Sequence, residues 1–139
     1  MKRFEEIEHT ADLAIRAHGR TIEELFENAA LGLFSLIWAT DSVSEFPVSR
    51  TLALEAPDRD RLLHAWLREL LYIHEADDIA LGAFRITHLS GGRLEAEVSG
   101  VAVGELPDPP VCAIKAVTYH GLEIEQTREG FTAELIFDT

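Results

Sequence analysis

The chain has 139 residues, 47% of them hydrophobic and 27% charged, with 12 Lys and Arg against 25 Asp and Glu, a formal net charge of −13. That length and balance suit one globular domain over 1–139 and exclude a disordered tail or a small scaffold that needs staples. The charge speaks against a body built to grip nucleic acid, whose phosphates are bound through Lys and Arg, and favours metal cations or a basic protein partner.

The N-terminal Met1-Lys2-Arg3-Phe4-Glu5-Glu6 turns acidic at once and lacks the apolar run of a signal peptide. No stretch reaches the roughly 18 apolar residues of a membrane span. The longest apolar segment, around 29–39, holds Gly32 and Ser35 and reads as a helix. A cytoplasmic protein without membrane contact is expected. Ala11, Leu13, Ile15 and Ala17 alternate with Asp12, Ala14, Arg16 and His18, which predicts a strand with one buried face. Gly19-Arg20 turns the chain, and Thr21 with Glu24 has the form of a capping box. Ile22, Leu25, Phe26, Ala29, Ala30, Leu33, Leu36 and Ile37 then follow helical spacing, ending near Trp38 or Ala39.

Val48, Leu52 and Leu54 predict a second strand between Pro47 and Pro57. Asp58 or Asp60 caps a second helix with a buried stripe of Leu63, Trp66, Leu67, Leu70 and Leu71. Phe84 and Ile86 suggest a short strand, and Ser90-Gly91-Gly92 a turn. Leu94, Ala96 and Val98 mark the next strand, with Gly100 as a bulge or bend. Glu105 to Pro110 is a rigid loop. Ala113 to His120 predicts a strand kinked at Gly121, with Leu122, Ile124 and Gln126 beyond. Phe131, Ala133, Leu135 and Phe137 mark the last strand. The order β-α-β-α-β-β-β-β predicts an α+β fold: a two-layer sandwich, with two helices on one face of a mixed, mostly antiparallel sheet.

Cys112 is the only cysteine, so no intrachain disulfide or thiolate cluster is available, and a partly buried, inert thiol is expected. None of the six His forms a His-Glu-x-x-His pattern, and neither a phosphate-cradling glycine loop nor a Gly-x-Ser-x-Gly elbow is present. Three features remain. His9-Thr10-Ala11-Asp12 places an Asp at the start of a strand, where such residues commonly satisfy backbone donors. Phe137-Asp138-Thr139 places another at the end of a strand; on adjacent strands the two would offer the oxygen ligands a hard divalent cation takes. Lys115 is a cation in the otherwise apolar Ile114-Lys115-Ala116-Val117-Thr118-Tyr119-His120. It suits a sheet-edge guard, or an ion pair or contact with an anionic group. The run Glu75-Ala76-Asp77-Asp78 opposes the helix dipole at a C-terminus. It fits either an exposed helix end or one that meets a cation or partner.

Taken together these segments resemble the archease family over nearly the whole chain. The resemblance rests on His9-Thr10-Ala11-Asp12, on Leu63 through Leu71 with its core Trp66-Leu67-Arg68-Glu69-Leu70-Leu71, on Ile114 to His120, and on Phe137-Asp138-Thr139. Each motif is weak alone; their order and spacing make the combination specific. The resemblance implies a small accessory protein rather than a stand-alone enzyme. Such proteins assist an RtcB-type RNA ligase, which joins a 2′,3′-cyclic-phosphate or 3′-phosphate end to a 5′-hydroxyl end, as in tRNA splicing. The ligase uses GTP and a divalent metal such as manganese and passes through a guanylylated histidine, so GTP belongs to the partner. The accessory protein promotes that guanylylation and repeated turnover. The resemblance also implies a cation site, for Ca2+ before Mn2+ or Mg2+, at Asp12, Asp138 and Thr139. The family often ends in an aliphatic residue, from which Thr139 departs. A main-chain contact there leaves the site intact, and a side-chain contact does not.

The leading expectation is a metal-binding activator of an RNA ligase, docking on the ligase without strong nucleic-acid binding of its own. His9, Lys115 and His120 are candidate partner or regulatory residues. A general chaperone or RNA-processing adaptor fits the amphipathic helices and acidic surface equally well. A metal-dependent hydrolase built on Asp12, His9, His120 and Asp138 ranks below both, for want of a hydrolase motif.

Overall fold

Local signals set both helices. The Glu24 N–H donates to Thr21 Oγ1 at 3.1 Å, and Glu24 Oε1 in turn accepts from the Arg20 N–H at 3.3 Å. These bonds start helix α1, Ile22–Ile37. Asp58, not Asp60, caps α2, Arg59–Asp77, by accepting the Arg61 N–H at 2.8 Å. Asp60 instead accepts the Ile124 N–H at 3.0 Å and anchors a later loop to the helix start.

A computed structural model describes residues 1–7 and 13–139. Among the described residues the strands are β1 (Phe4–Ile7), β2 (Leu13–Gly19), β3 (Val48–Glu55), β4 (Ile79–Ser90), β5 (Arg93–Ala102), β6 (Ala116–Val117), β7 (Glu125–Thr127) and β8 (Gly130–Asp138). The fold is α+β, as predicted. The strands divide between two sheets, however, rather than forming one. The first runs β1-β2-β8-β6, with β7 also on β8; the second runs β3-β5-β4. Every pairing is antiparallel. Helix α1 packs on β2 and β8 of the first sheet and on β4 of the second. Helix α2 packs on β3 and β4 of the second and on β6 of the first. The outer edge of β4 is met by α1: Glu27 Oε2 accepts the Ile86 N–H at 2.9 Å, so a helix side chain satisfies a donor that another strand would otherwise pair.

Strand β1 carries no period-two signal, because Glu5 and Glu6 interrupt it. Its ladder with β2 and the packing of Phe4 against the core hold it, and cross-strand charge adds to them: Glu5 pairs with Arg16 and Arg16 with Glu134 in the register of β1, β2 and β8. The Arg16 guanidinium lies 3.1 Å from Glu5 and 2.5 Å from Glu134. Strand β4 is longer than expected, since Ile79, Ala80 and Leu81 are all buried and do not alternate. Its register shifts between Leu81 and Ala83, opposite Gly100, where an added Cβ would lie 2.1 Å from the Ala80 oxygen. The strand predicted over 113–120 contracts to β6. Its ladder extends one bond each way, from the Lys115 and Thr118 N–H groups to the Asp138 and Ile136 oxygens, both at 2.8 Å. Gly121, at φ +78°, then turns the chain.

The core lies between helices and sheets. Its two tryptophans are buried with their polar atoms paired. Trp66 Nε1 donates to the Phe26 oxygen at 2.9 Å, tying α2 to α1. Trp38 Nε1 donates to the Leu81 oxygen at 2.9 Å, tying the end of α1 to β4.

Candidate metal and partner site

Strand β8 buries Ala133, Leu135 and Phe137, so Glu134, Ile136 and Asp138 belong to its other face. Asp138 is exposed and closes the strand. Its backbone is held from the β6 side, where it pairs with Ala116 and its carbonyl accepts the Lys115 N–H. One carboxylate is thus presented on a fixed main chain. Thr139 follows it and is exposed. The donor set is oxygen, which suits a hard divalent cation. On the other side of β8, Leu13 pairs with Phe137. In the sequence Asp12 precedes Leu13 and Asp138 follows Phe137. His9 and Asp12 lie outside the described residues. Among the described residues no group of three or more His, Cys, Asp and Glu is arranged to hold a metal ion.

Lys115 is exposed beside β6, the edge of the first sheet. A lysine there discourages edge-to-edge pairing. It is also next to the end of β8, so the backbone brings Lys115 and Asp138 together. His120 is exposed in the turn closed by the Leu122 N–H on the Tyr119 oxygen. Among the described residues no hydrogen bond links its ring to the other candidates. Cys112 is half-buried, as expected. The acidic run forms the last turn and C-cap of α2. Asp77 lies 3.4 Å from Arg50, and Asp78 takes the left-handed C-cap, φ 52°, where its oxygen accepts the Val103 N–H.

Electrostatic perturbation among the described residues falls elsewhere. The Arg16 guanidinium holds the Glu5 carboxyl below its usual range, and Glu134 and Glu5 push Arg16 up. Arg61 is raised by its hydrogen bond to Tyr119 and then by Asp58. That last pair belongs to a constellation the sequence reading passed over. Arg61 Nε donates to Tyr119 Oη at 3.0 Å, and His64 Nε2 lies 2.9 Å from the Val117 oxygen. A carbonyl only accepts, so Nε2 carries the proton. The His64 and Tyr119 rings meet edge-on at 5.3 Å. Apolar periodicity points only to the buried stripe of α2. The complementary spacing Arg61, Ala65, Arg68 on its outer face was the available signal.

Comparison with known proteins agrees with this architecture. The family model of the Archease protein family matches residues 4–139. The protein archease of Methanosarcina acetivorans is 42% identical over 141 residues, covering 99% of this chain and 96% of that protein. The protein archease of Pyrococcus furiosus is 37% identical over 144 residues, covering 99% of each. Among solved structures, the solution structure of Methanobacterium thermoautotrophicum protein 1598 is similar at a TM-score of 0.86 and 33% identity, with 100% of each chain covered. The crystal structure of an archease and possible chaperone from Thermotoga maritima is similar at a TM-score of 0.67, with 96% and 94% covered. At 23% identity it bears on the fold alone.

Proposed function

The chain belongs to the archease family, and from that premise we propose that it is a metal-binding accessory protein that activates an RtcB-type RNA ligase, promoting guanylylation and multiple turnover. The observation that carries this is the pairing of Leu13 with Phe137, because their sequence neighbours are Asp12 and Asp138. Asp12, Asp138 and Thr139 are the residues that would hold the cation, with Ca2+ as the first choice for an all-oxygen set. A divalent cation supplies a positive centre that phosphate or carboxylate oxygens can share. The chain's own part is to present the Asp138 carboxylate on a backbone that β6 and β2 hold still, with the Lys115 cation alongside. The net charge of −13 steers the protein toward a basic surface of the ligase rather than toward free RNA. Activity in the cytoplasm, on the ligase and its GTP rather than on a substrate of its own, belongs to the same proposal. No helix among the described residues is long and apolar enough to cross a membrane.

A general holdase chaperone is supported less well. Among the described residues the exposed large hydrophobics are Met1, Tyr72, Val111 and Tyr119, a small surface on which to hold unfolded clients. The deciding experiment measures guanylylation and multiple-turnover ligation by the cognate ligase with and without this protein. Stimulation that depends on a divalent cation is expected. Absence of stimulation, or suppression of aggregation of unrelated proteins at equal potency without metal, would overturn the proposal.

A further inference from the structure

A groove of about 350 Å³ runs beside the first half of α2, lined by Pro57, Arg61, His64, Ala65, Arg68 and Tyr119. Helical spacing explains the set: 61, 64, 65 and 68 recur on one side of the helix. Ala65 has the smallest side chain among them and leaves the floor open. The chemistry of the walls is unlike the rest of this acidic chain. Arg61 and Arg68 are both exposed. Arg68 makes no ion pair among the described residues, and Arg61 has Asp58 only at 3.8 Å. Glu55, the one carboxylate among the described residues of the lining, is paired with Arg93 at 3.2 Å. The groove is therefore locally cationic on a body with a net charge of −13.

The aromatic wall is fixed in advance. The Tyr119 ring is met edge-on by His64, its hydroxyl accepts from Arg61, and yet it is 43% exposed. A ring so held offers a flat face without loss of side-chain freedom on binding. Guanidinium pairs recognise phosphate through paired N–H donors. Aromatic side chains stack on nucleobases. The volume falls within the usual range for a small-molecule site. A long polyanion would be repelled by the acidic body, whereas one or two phosphates would be repelled far less.

We propose that this groove is a nucleotide site, which takes a phosphate on Arg61 and Arg68 and the attached base against Tyr119. The nucleotide is either free or the end of an RNA strand. Neither Asp138 nor Lys115 is among its lining residues, and the proposal does not depend on the ligase proposal.

The test is a titration of the full-length 15N-labelled protein, followed by amide shifts, with AMP, GMP, a trinucleotide bearing a 3′-phosphate, adenosine, inorganic phosphate and a hexaglutamate peptide. Saturable shifts clustered at 61–68 and 119 are expected with AMP or GMP or with the trinucleotide. Affinity is expected at least tenfold above that for adenosine or phosphate alone. A preference for the trinucleotide assigns the strand end, and equal affinity assigns the free nucleotide. Arg68→Glu and Ala65→Leu, both on the outer side of the helix, are each expected to weaken binding at least tenfold without changing the melting temperature. Tyr119→Phe keeps the ring and retains most of the affinity. Wild-type affinity in Arg68→Glu and Ala65→Leu, inorganic phosphate binding as well as the nucleotides, or hexaglutamate competing on equal terms would each overturn the proposal.

Discussion

The backbone N–H of Lys115 donates to the carbonyl oxygen of Asp138 across 2.8 Å. Because main chain makes the bond, the lysine side chain can change without releasing the end of β8. If Lys115 acts through its charge, Lys115→Ala lowers ligase stimulation about tenfold, the loss of one charge-assisted hydrogen bond. Lys115→Arg then retains most of the activity, and both variants melt with the wild type. Full stimulation by Lys115→Ala would assign the residue to edge protection alone.

Asp138→Asn keeps the size of the side chain and removes its charge. Calorimetric titration with calcium is expected to show affinity at least about tenfold lower, since a charged oxygen ligand is lost. Wild-type protein gains melting temperature on adding calcium by mass action. The variant gains little, while the two melt alike in chelator. Undiminished calcium affinity would remove Asp138 from the site.

The ladder Glu5–Arg16–Glu134 gives the first sheet a defined acid response. Arg16 holds the Glu5 carboxyl below the ordinary carboxylate value in the folded chain. A depressed carboxyl contributes stability that is present above its unfolded value and is lost as pH falls through its folded value. Arg16→Gln removes the cause. Wild type is expected to melt above Arg16→Gln near neutrality, and the gap to close as pH falls through the depressed Glu5 value. Added salt is expected to narrow the gap at pH 7, because Glu5 and Arg16 are only half-buried and Glu134 is exposed. A gap independent of pH would show that Arg16 contributes by packing instead.

Trp66→Phe removes the indole N–H that binds the Phe26 oxygen and leaves space between the helices. A loss of about 2 kcal/mol is expected from hydrogen bond and cavity together. Urea unfolding measures it directly. A loss below about 0.5 kcal/mol, within the range of ordinary surface changes, would mean that the helix pair repacks freely.

The helices were legible because their signals are local: a capping box at Thr21 and Glu24, an Asp cap at 58 or 60, and apolar residues at helical spacing. Strand β8 was legible for the same reason, since Ala133, Leu135 and Phe137 alternate. The division into two sheets was not, because partner choice between strands is decided at long range. Nothing in Leu13 to Gly19 shows that its neighbour is the last strand of the chain. Strand β1 escaped because Glu5 and Glu6 break its alternation and its partner strand is fixed by the backbone ladder. Of the site, Asp138 and Lys115 stood out by type and position, and their meeting follows from a backbone bond that spacing cannot show. The Arg61–Tyr119 contact joins residues 58 positions apart, so the spacing of Arg61, Ala65 and Arg68 marks one wall of the groove and not its aromatic partner.

The two tryptophans have a use beyond stability. They are the only two in the chain, both are buried, and each indole N–H is bound to a carbonyl in a different neighbour. Intrinsic fluorescence therefore reports on two separate joints: Trp66 on α1 against α2, and Trp38 on α1 against β4. Excited selectively in single-tryptophan variants, the two emissions would register the docking of the helix pair and the docking of α1 on β4 as distinct optical events.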